Sequence, residues 1–313
     1  MKQHASNILR ALFGPRHTWS YASSAVRLSQ DFNSRLEDLS SRVSTSDKGP
    51  EDQPVFVFSA GWRSGSTLLQ RMIMRHNENI VMWGEPYHKC NIFDGLADQF
   101  RAFTPDWPND SQFIASHDRN KLADLWIANL YPGVDDLVNA HRAFLNVLFQ
   151  QPAHRMGAVR WGIKVVRLSI HHAAYLKRIY PNCRSIFLCR DPVHSYASFR
   201  KMYEGWFERW PDRVVATPYA FGKHWAQLTE GYLAGYQMIG GVFIRYEDLN
   251  TSEHVERLSQ YLGWPVSRAS ELPRVTGRIA GGSGDGRPEI PFIDMKILKM
   301  VVAKTRRMAG YCD

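Results

Sequence analysis

The side chains of this sequence best suited to chemistry fall into two clusters. The first is Arg63-Ser64-Gly65-Ser66-Thr67, one cation and several hydroxyls around a glycine, inside VFVFSAGWRSGST at Val55 to Thr67. Gly61 and Gly65 permit backbone conformations that aim several N–H groups at one point, and a helix starting there adds its positive end. The second cluster is Arg190 with Ser198 eight residues on, in RSIFLCRDPVHSYASF at Arg184 to Phe199. Each arrangement suits a phosphate. The first departs from a nucleotide hydrolase's loop, because Ser66 stands where that loop has its lysine and Ala60 where it has its first glycine. Arg63 is the loop's only cation, which argues for phosphate binding without the Lys and Mg²⁺ arrangement of ATP chemistry. A plain strand-to-helix turn is the competing reading of the loop taken alone.

Regular elements must hold these groups in place. Val55 to Phe58 reads as a strand buried on both faces, and Thr67, Leu68, Leu69, Met72, Ile73 and His76 have helical spacing. Ile186, Phe187 and Leu188 form a second buried strand, followed by Asp191-Pro192 as cap and first-turn signal. Arg190 thus lies at a strand's carboxyl end, where parallel sheets bind ligands. Ser198 lies two helical turns after Asp191 and shares a face with Ser195. Asp191 itself reads as a cap and not as a catalyst. Ile80 to Trp83 is a further strand, ending at Gly84-Glu85-Pro86-Tyr87-His88, and Lys164 belongs to another in WGIKVV, Trp161 to Val166.

RSGSTLL at Arg63 to Leu69 and FLCRDPVHSYAS at Phe187 to Ser198 resemble the two cofactor signatures of the sulfotransferases. VFIRYEDLNTSEHVERLSQYLGWP, Val242 to Pro265, is similar to that family's late strand and helix, where an R-Y-E-D-L run precedes a helix ending in L-G-x-P. The resemblance covers Pro54 to about His88 and Val159 to about Pro265. It implies an α/β fold of P-loop-like, three-layer type, with a central mostly parallel sheet flanked by helices. It also implies 3′-phosphoadenosine 5′-phosphosulfate as sulfonate donor, with Arg63, Ser64, Gly65, Ser66 and Thr67 on the 5′-phosphosulfate and Arg190 and Ser198 on the 3′-phosphate.

Moving a sulfuryl group onto a hydroxyl or amine requires a base for the acceptor's proton, and donors for the charge that builds on the transferred and leaving oxygens. The scheme demands no metal. The sequence has no HExxH or CxxC, and His171-His172 are adjacent, which does not point both rings one way on a helix. Glu85 is the base candidate: WGEPYH resembles the E-P segment of the carbohydrate and tyrosyl-protein sulfotransferases, whose glutamate is the base. The K-T-H context of the cytosolic type is missing. His88 is the other candidate base, and pairing with Arg63 is the other role open to Glu85. Arg63 suits a bridge between 5′-phosphate and sulfonate; Lys164 reads equally as a second such group or an ordinary strand lysine. In TGRIAGGSGDGRP, Thr276 to Pro288, Arg278 and Arg287 are candidates to close over the donor, against the reading of a plain flexible loop.

At 313 residues with 44% hydrophobic content, the chain can bury one large α/β core with an inserted cap. A formal net charge of +9 suits a polyanionic donor, and equally nucleic acid or an anionic membrane. The resemblance assigns it to the donor, with a carbohydrate or small-molecule acceptor and no nucleic acid. Cys90, Cys183, Cys189 and Cys312 show no framework spacing, which points to a reducing compartment. No segment approaches a membrane span, so the expectation is a soluble, cytoplasmic, bacterial-type relative.

Residues 1–50 read as an extension with one amphipathic helix, Leu28 to Val43, and a polar linker before a domain over 51–313. Residues 91–156 read as a helical insertion on the acceptor side, rich in Phe93, Phe100, Phe103, Trp107, Phe113, Trp126, Tyr131, Phe144 and Phe149. Those rings suit either a sugar or hydrophobic acceptor, or simply the core. Tyr203, Trp206, Phe207, Trp210 and Tyr219 form a second aromatic group. The alternatives to a sulfotransferase are a P-loop-type nucleotide kinase and a catalytically silent nucleotide-binding protein.

Overall fold

In the first strand, Phe56 and Phe58 enter one apolar cluster with Trp161, Ile163 and Phe187, while Val55 and Val57 enter a second with Ile186 and Leu188. A strand whose alternate residues feed two cores has helices on both of its faces. The computed structural model describes residues 53–85, 92–100, 109–114, 119–124, 129–201, 215, 217–273 and 290–311. The elements run β1 (Val55–Ser59), α1 (Ser66–Met74), β2 (Ile80–Trp83), α2 (Ile92–Gln99) and α3 (Val134–Leu145). A π-helical turn, Asn146–Gln150, leads into α4 (Gln151–Arg155), then β3 (Arg160–Val165), α5 (Ile170–Ile179), β4 (Arg184–Cys189) and α6 (Pro192–Lys201). After these come α7 (Pro218–Gly235), β5 (Val242–Arg245), α8 (Ser252–Leu262) and α9 (Phe292–Met308).

Among the described residues five strands form one sheet in the order β2-β3-β1-β4-β5, and every neighbouring pair is parallel. The chain builds outward from β1 first on one side and then on the other, so the crevice at the carboxyl end of β1 is the switch point where such sheets bind ligands. Helices α1 and α8 lay Leu69, Met72, Leu258 and Leu262 on one face, and α5, α7 and α9 cover the other with Tyr175, Trp225, Tyr232 and Val302. This is the three-layer α/β arrangement that the strand and helix signals imply. Gly162 of β3 is required by close approach, since a Cβ there would lie 2.3 Å from the Met82 sulfur and 2.5 Å from the Val55 carbonyl.

One sequence expectation is corrected: the first helix stops at Met74 rather than reaching His76, because the Asn77 N–H turns back onto the Met74 carbonyl at 3.2 Å. Of the two readings open for the aromatic rings of residues 91–156, core applies to most of the described ones. Phe93, Phe100 and Phe149 are at most 5% exposed. Phe149 stacks on Trp161 of β3 at 5.8 Å and on Phe93 at 6.4 Å. Burying these rings docks the insertion on the sheet, leaving Phe144 as the one large ring of the group that stands well out, at 47% exposure, among the described residues. Polar contacts add to the docking: the His141 ring bonds the Tyr175 hydroxyl at 2.7 Å and Gln99 at 3.2 Å, and Asp94 pairs with His172. The π turn leaves a carbonyl to be satisfied elsewhere, and the Trp83 indole N–H donates to the Phe149 carbonyl at 2.9 Å, pinning the end of β2.

The helix proposed for Leu28 to Val43, together with Phe103, Trp107, Trp126, Tyr203, Trp206, Phe207 and Trp210, lies outside the described residues. So do His88, Arg278, Arg287, Cys90 and Cys312.

Candidate active site

The loop after β1 alternates its handedness. Gly61, Arg63 and Gly65 all have positive φ, at 87°, 62° and 89°, and Arg63 is the only described residue other than glycine to do so. A non-glycine residue held in this region is strained, and such strain collects at ligand sites. Internal bonds hold the shape: the Gly61 N–H donates to the Ser59 carbonyl at 2.7 Å, the Ser64 hydroxyl donates to the Gly61 carbonyl at 2.9 Å, and the Ser59 and Ser64 hydroxyls touch. The first backbone bond of α1 runs from the Leu69 N–H to the Gly65 carbonyl, and no side chain caps the helix. The N–H groups of Ser66, Thr67 and Leu68 are therefore left to a ligand or solvent.

The second cluster adjoins the first, because β4 pairs with β1 and the Ala60 N–H donates to the Leu188 carbonyl at 2.9 Å. Arg190 donates from Nη1 to the Arg63 carbonyl at 3.1 Å, and the Arg63 Nε donates to the Ser198 hydroxyl at 3.0 Å. The sequence places Ser198 with Arg190; the structure links it directly to Arg63, so the two clusters form one cationic cradle. The Arg190 Nε and the Ser195 hydroxyl are buried without a hydrogen-bond partner among the described residues. Asp191 acts as the cap expected of it, its Oδ1 accepting from the Val193 N–H at 2.8 Å.

Glu85 stands just past β2, and Lys164 reaches it from β3, with Nζ to Oε1 at 2.8 Å. Lys164 is thus an ion-pair partner of Glu85. The lysine side chain is 7% exposed and the glutamate 23%, so the carboxylate faces solvent while its partner is sunk in the sheet. Of the residues singled out from the sequence, the structure brings together Arg63, Ser64, Gly65, Ser66, Thr67, Arg190 and Ser198 in one cradle. It joins Glu85 to Lys164 at the neighbouring strand ends.

Three groups escaped the sequence reading. A Cβ on Gly65 would lie 2.1 Å from Tyr246 Cδ2, and the same ring lies under the Arg190 guanidinium at 4.3 Å, so Tyr246 joins loop and arginine. Its signal was present, since it follows β5 at a carboxyl end. His224 of α7 has its ring 5.6 Å from that of Trp62, with Nε2 buried and without a hydrogen-bond partner among the described residues. Burial, reinforced by the positive charge of Arg167, pulls its pKa down to about 4. Arg167, just past β3, is itself lowered by burial, with Glu85 and Asp94 pushing the other way. His224 carries no local signal, because on an apolar helix it reads as core. Among the described residues no group of three or more metal-ligating side chains comes together.

A parallel α/β sheet with an anion cradle at its switch point is the architecture of a phosphate-group-binding protein. Residues 54–268, more than half of the chain, match the sulfotransferase family, and the chain belongs to that family. The family read from the three motifs is thereby confirmed. Among solved structures, the sulfotransferase domain from the Synechococcus PCC 7002 olefin synthase is 16% identical, covers 86% of this chain and 100% of its own, and has a TM-score of 0.44. The sulfotransferase domain from the curacin biosynthetic pathway is 16% identical over 85% of this chain and 99% of its own, at a TM-score of 0.45. Mouse sulfotransferase SULT7A1, solved with PAP, is 13% identical over 83% of this chain and 74% of its own, at 0.39. No curated protein matches the chain.

Proposed function

We propose that this protein transfers the sulfonate group of 3′-phosphoadenosine 5′-phosphosulfate to a hydroxyl or amine of a carbohydrate or small molecule, by in-line displacement with Glu85 as base. The observation that carries the reading is the Glu85 carboxylate, oriented by Lys164 at 2.8 Å, at the strand ends beside an uncapped, cationic anion loop. In this mechanism the acceptor oxygen or nitrogen bonds to sulfur as the bond from sulfur to the 5′-phosphate oxygen breaks, and Glu85 takes the acceptor's proton. Arg63 and the N–H groups of Ser66 and Thr67 stabilise charge on the transferred and leaving oxygens, with Ser64 and Gly65 shaping the loop. Lys164 keeps Glu85 in place and adds positive charge. Arg190 and Ser198 hold the 3′-phosphate. No step uses a metal.

In the same reading residues 51–313 form the catalytic domain, 1–50 an extension, and 91–156 the side that selects the acceptor. A cytoplasmic setting belongs to it, supported by Cys183 and Cys189, both buried and unbridged. No helix among the described residues is long and apolar enough to cross a membrane. Calorimetric titration with adenosine 3′,5′-bisphosphate in EDTA, beside ATP with Mg²⁺, tests the donor. Tight binding of the bisphosphate alone is expected; preference for ATP with Mg²⁺ would overturn the reading in favour of a kinase.

A further inference from the structure

The residues that carry the donor-binding arginine, Cys189-Arg190-Asp191, are gripped at every position from later in the chain. The Cys189 sulfur meets the Tyr311 hydroxyl at 3.3 Å, and the Arg190 carbonyl accepts from the Trp225 indole at 3.0 Å. The Asp191 N–H donates to Glu247 Oε1 at 3.1 Å, and Asp191 Oδ2 accepts from Arg306 Nη2 at 2.7 Å. Tyr311 closes the circuit by donating to Glu247 Oε2 at 3.0 Å. Arg245, one residue before the Tyr246 that lies under Arg190, fixes the same tail through Nη1 to the Gly310 carbonyl at 2.8 Å.

Ordinary helix packing explains how α9 adheres, since Leu298 and Val302 are fully buried in the core. It does not explain why a guanidinium and a phenol are sunk to 9% and 8% exposure directly behind Arg190. Burying such groups is unfavourable unless they are paired, and their partners here are the strand end and its cap. Burial raises the Cys189 thiol to about 12, so it meets the Tyr311 hydroxyl as a neutral group.

We infer that Arg306 and Tyr311, both beyond the stretch that matches the family, are positioning residues for the 3′-phosphate: they hold Cys189 to Asp191 so that Arg190 meets that group. This rests on the donor reading above. A small misplacement of a binding group is enough to forfeit its contact, while the rest of the site is untouched.

The test measures affinity for adenosine 3′,5′-bisphosphate and for AMP, which lacks the 3′-phosphate, in the wild-type chain and in the Arg306→Gln and Tyr311→Phe variants. Tyr311→Phe keeps the ring in place and carries the test if Arg306→Gln does not fold. The expected result is a preference for the bisphosphate over AMP that falls tenfold or more in the variants, with AMP affinity held within about twofold. A folded variant with lower thermal stability and an unchanged preference would overturn the inference and leave these residues as packing. A wild-type chain with no preference at all would overturn the donor reading itself, and this inference with it.

Discussion

The two halves of the crevice are built on different terms. At the carboxyl ends of β1 and β4, the cationic side chains are tied to their surroundings: Arg63 to Ser198, Arg190 to the Arg63 carbonyl, Tyr246 to both loop and arginine. At the ends of β2 and β3, the Glu85–Lys164 pair has a more exposed carboxylate, and among the described residues nothing lies within 4 Å of the place a Cβ on Gly84 would take. A side that must recognise one constant, polyanionic donor gains from rigidity. A side that must admit an acceptor and shed a product gains from room.

The largest effect that would test this contrast belongs to Glu85→Gln. Turnover should fall by roughly 10²- to 10⁴-fold, with bisphosphate affinity kept within a few fold in calorimetry; full turnover would move the base to His88. Next come two glycines. Gly65→Ala places a methyl group into Tyr246 at a left-handed position and should cost about 2 kcal/mol or more of stability together with donor affinity. Gly84→Ala should stay within about 0.5 kcal/mol by urea unfolding. Equal losses at both positions would abolish the distinction drawn between the two sides.

His224, beside Trp62 of the donor loop and near Arg167 past β3, gives a smaller and pH-dependent effect. Its folded pKa near 4 lies below the ordinary imidazole value, and those of His141 and His171 are lowered as well. Between about pH 6.5 and 4 the unfolded chain therefore binds protons that the folded chain does not. Stability from these groups is present above pH 6.5 and lost as the pH falls toward 4. Urea melts at stepped pH should show that fall, and His224→Gln should flatten it; an unchanged slope would remove His224 from the account. The smallest effect is expected at Phe144→Ser, where 47% of the side chain is already in water and stability should move by about 0.5 kcal/mol at most.

The donor side was legible in the sequence because each of its parts is local. A strand, a glycine turn and a helix start lie within a dozen or so residues at Val55 to Thr67, and Arg190, Asp191 and Ser198 share one strand-to-helix junction. The joints between those parts were not legible. Tyr246 over Gly65, Lys164 against Glu85 and Arg306 against Asp191 each join residues far apart in sequence, and only the sheet order and the packing of helices on it bring them together. The aromatic insertion shows a different limit: hydrophobicity marks Phe93 and Phe149 as rings that want cover, but a core and a bound sugar ring cover them equally well. The stacking of Phe149 on Trp161, and of Phe93 on Phe149, decides it.

The central place of β1 also bears on how the molecule is made. This apolar strand leaves the ribosome first of the five, yet the two strands that flank it are not synthesised until Arg160 and Arg184. From Ser59 until Arg160 is made, VFVFS is an unpaired, sticky edge, the kind of segment that invites wrong partners. A nascent chain halted before β4 should therefore be a strong client for a holding chaperone.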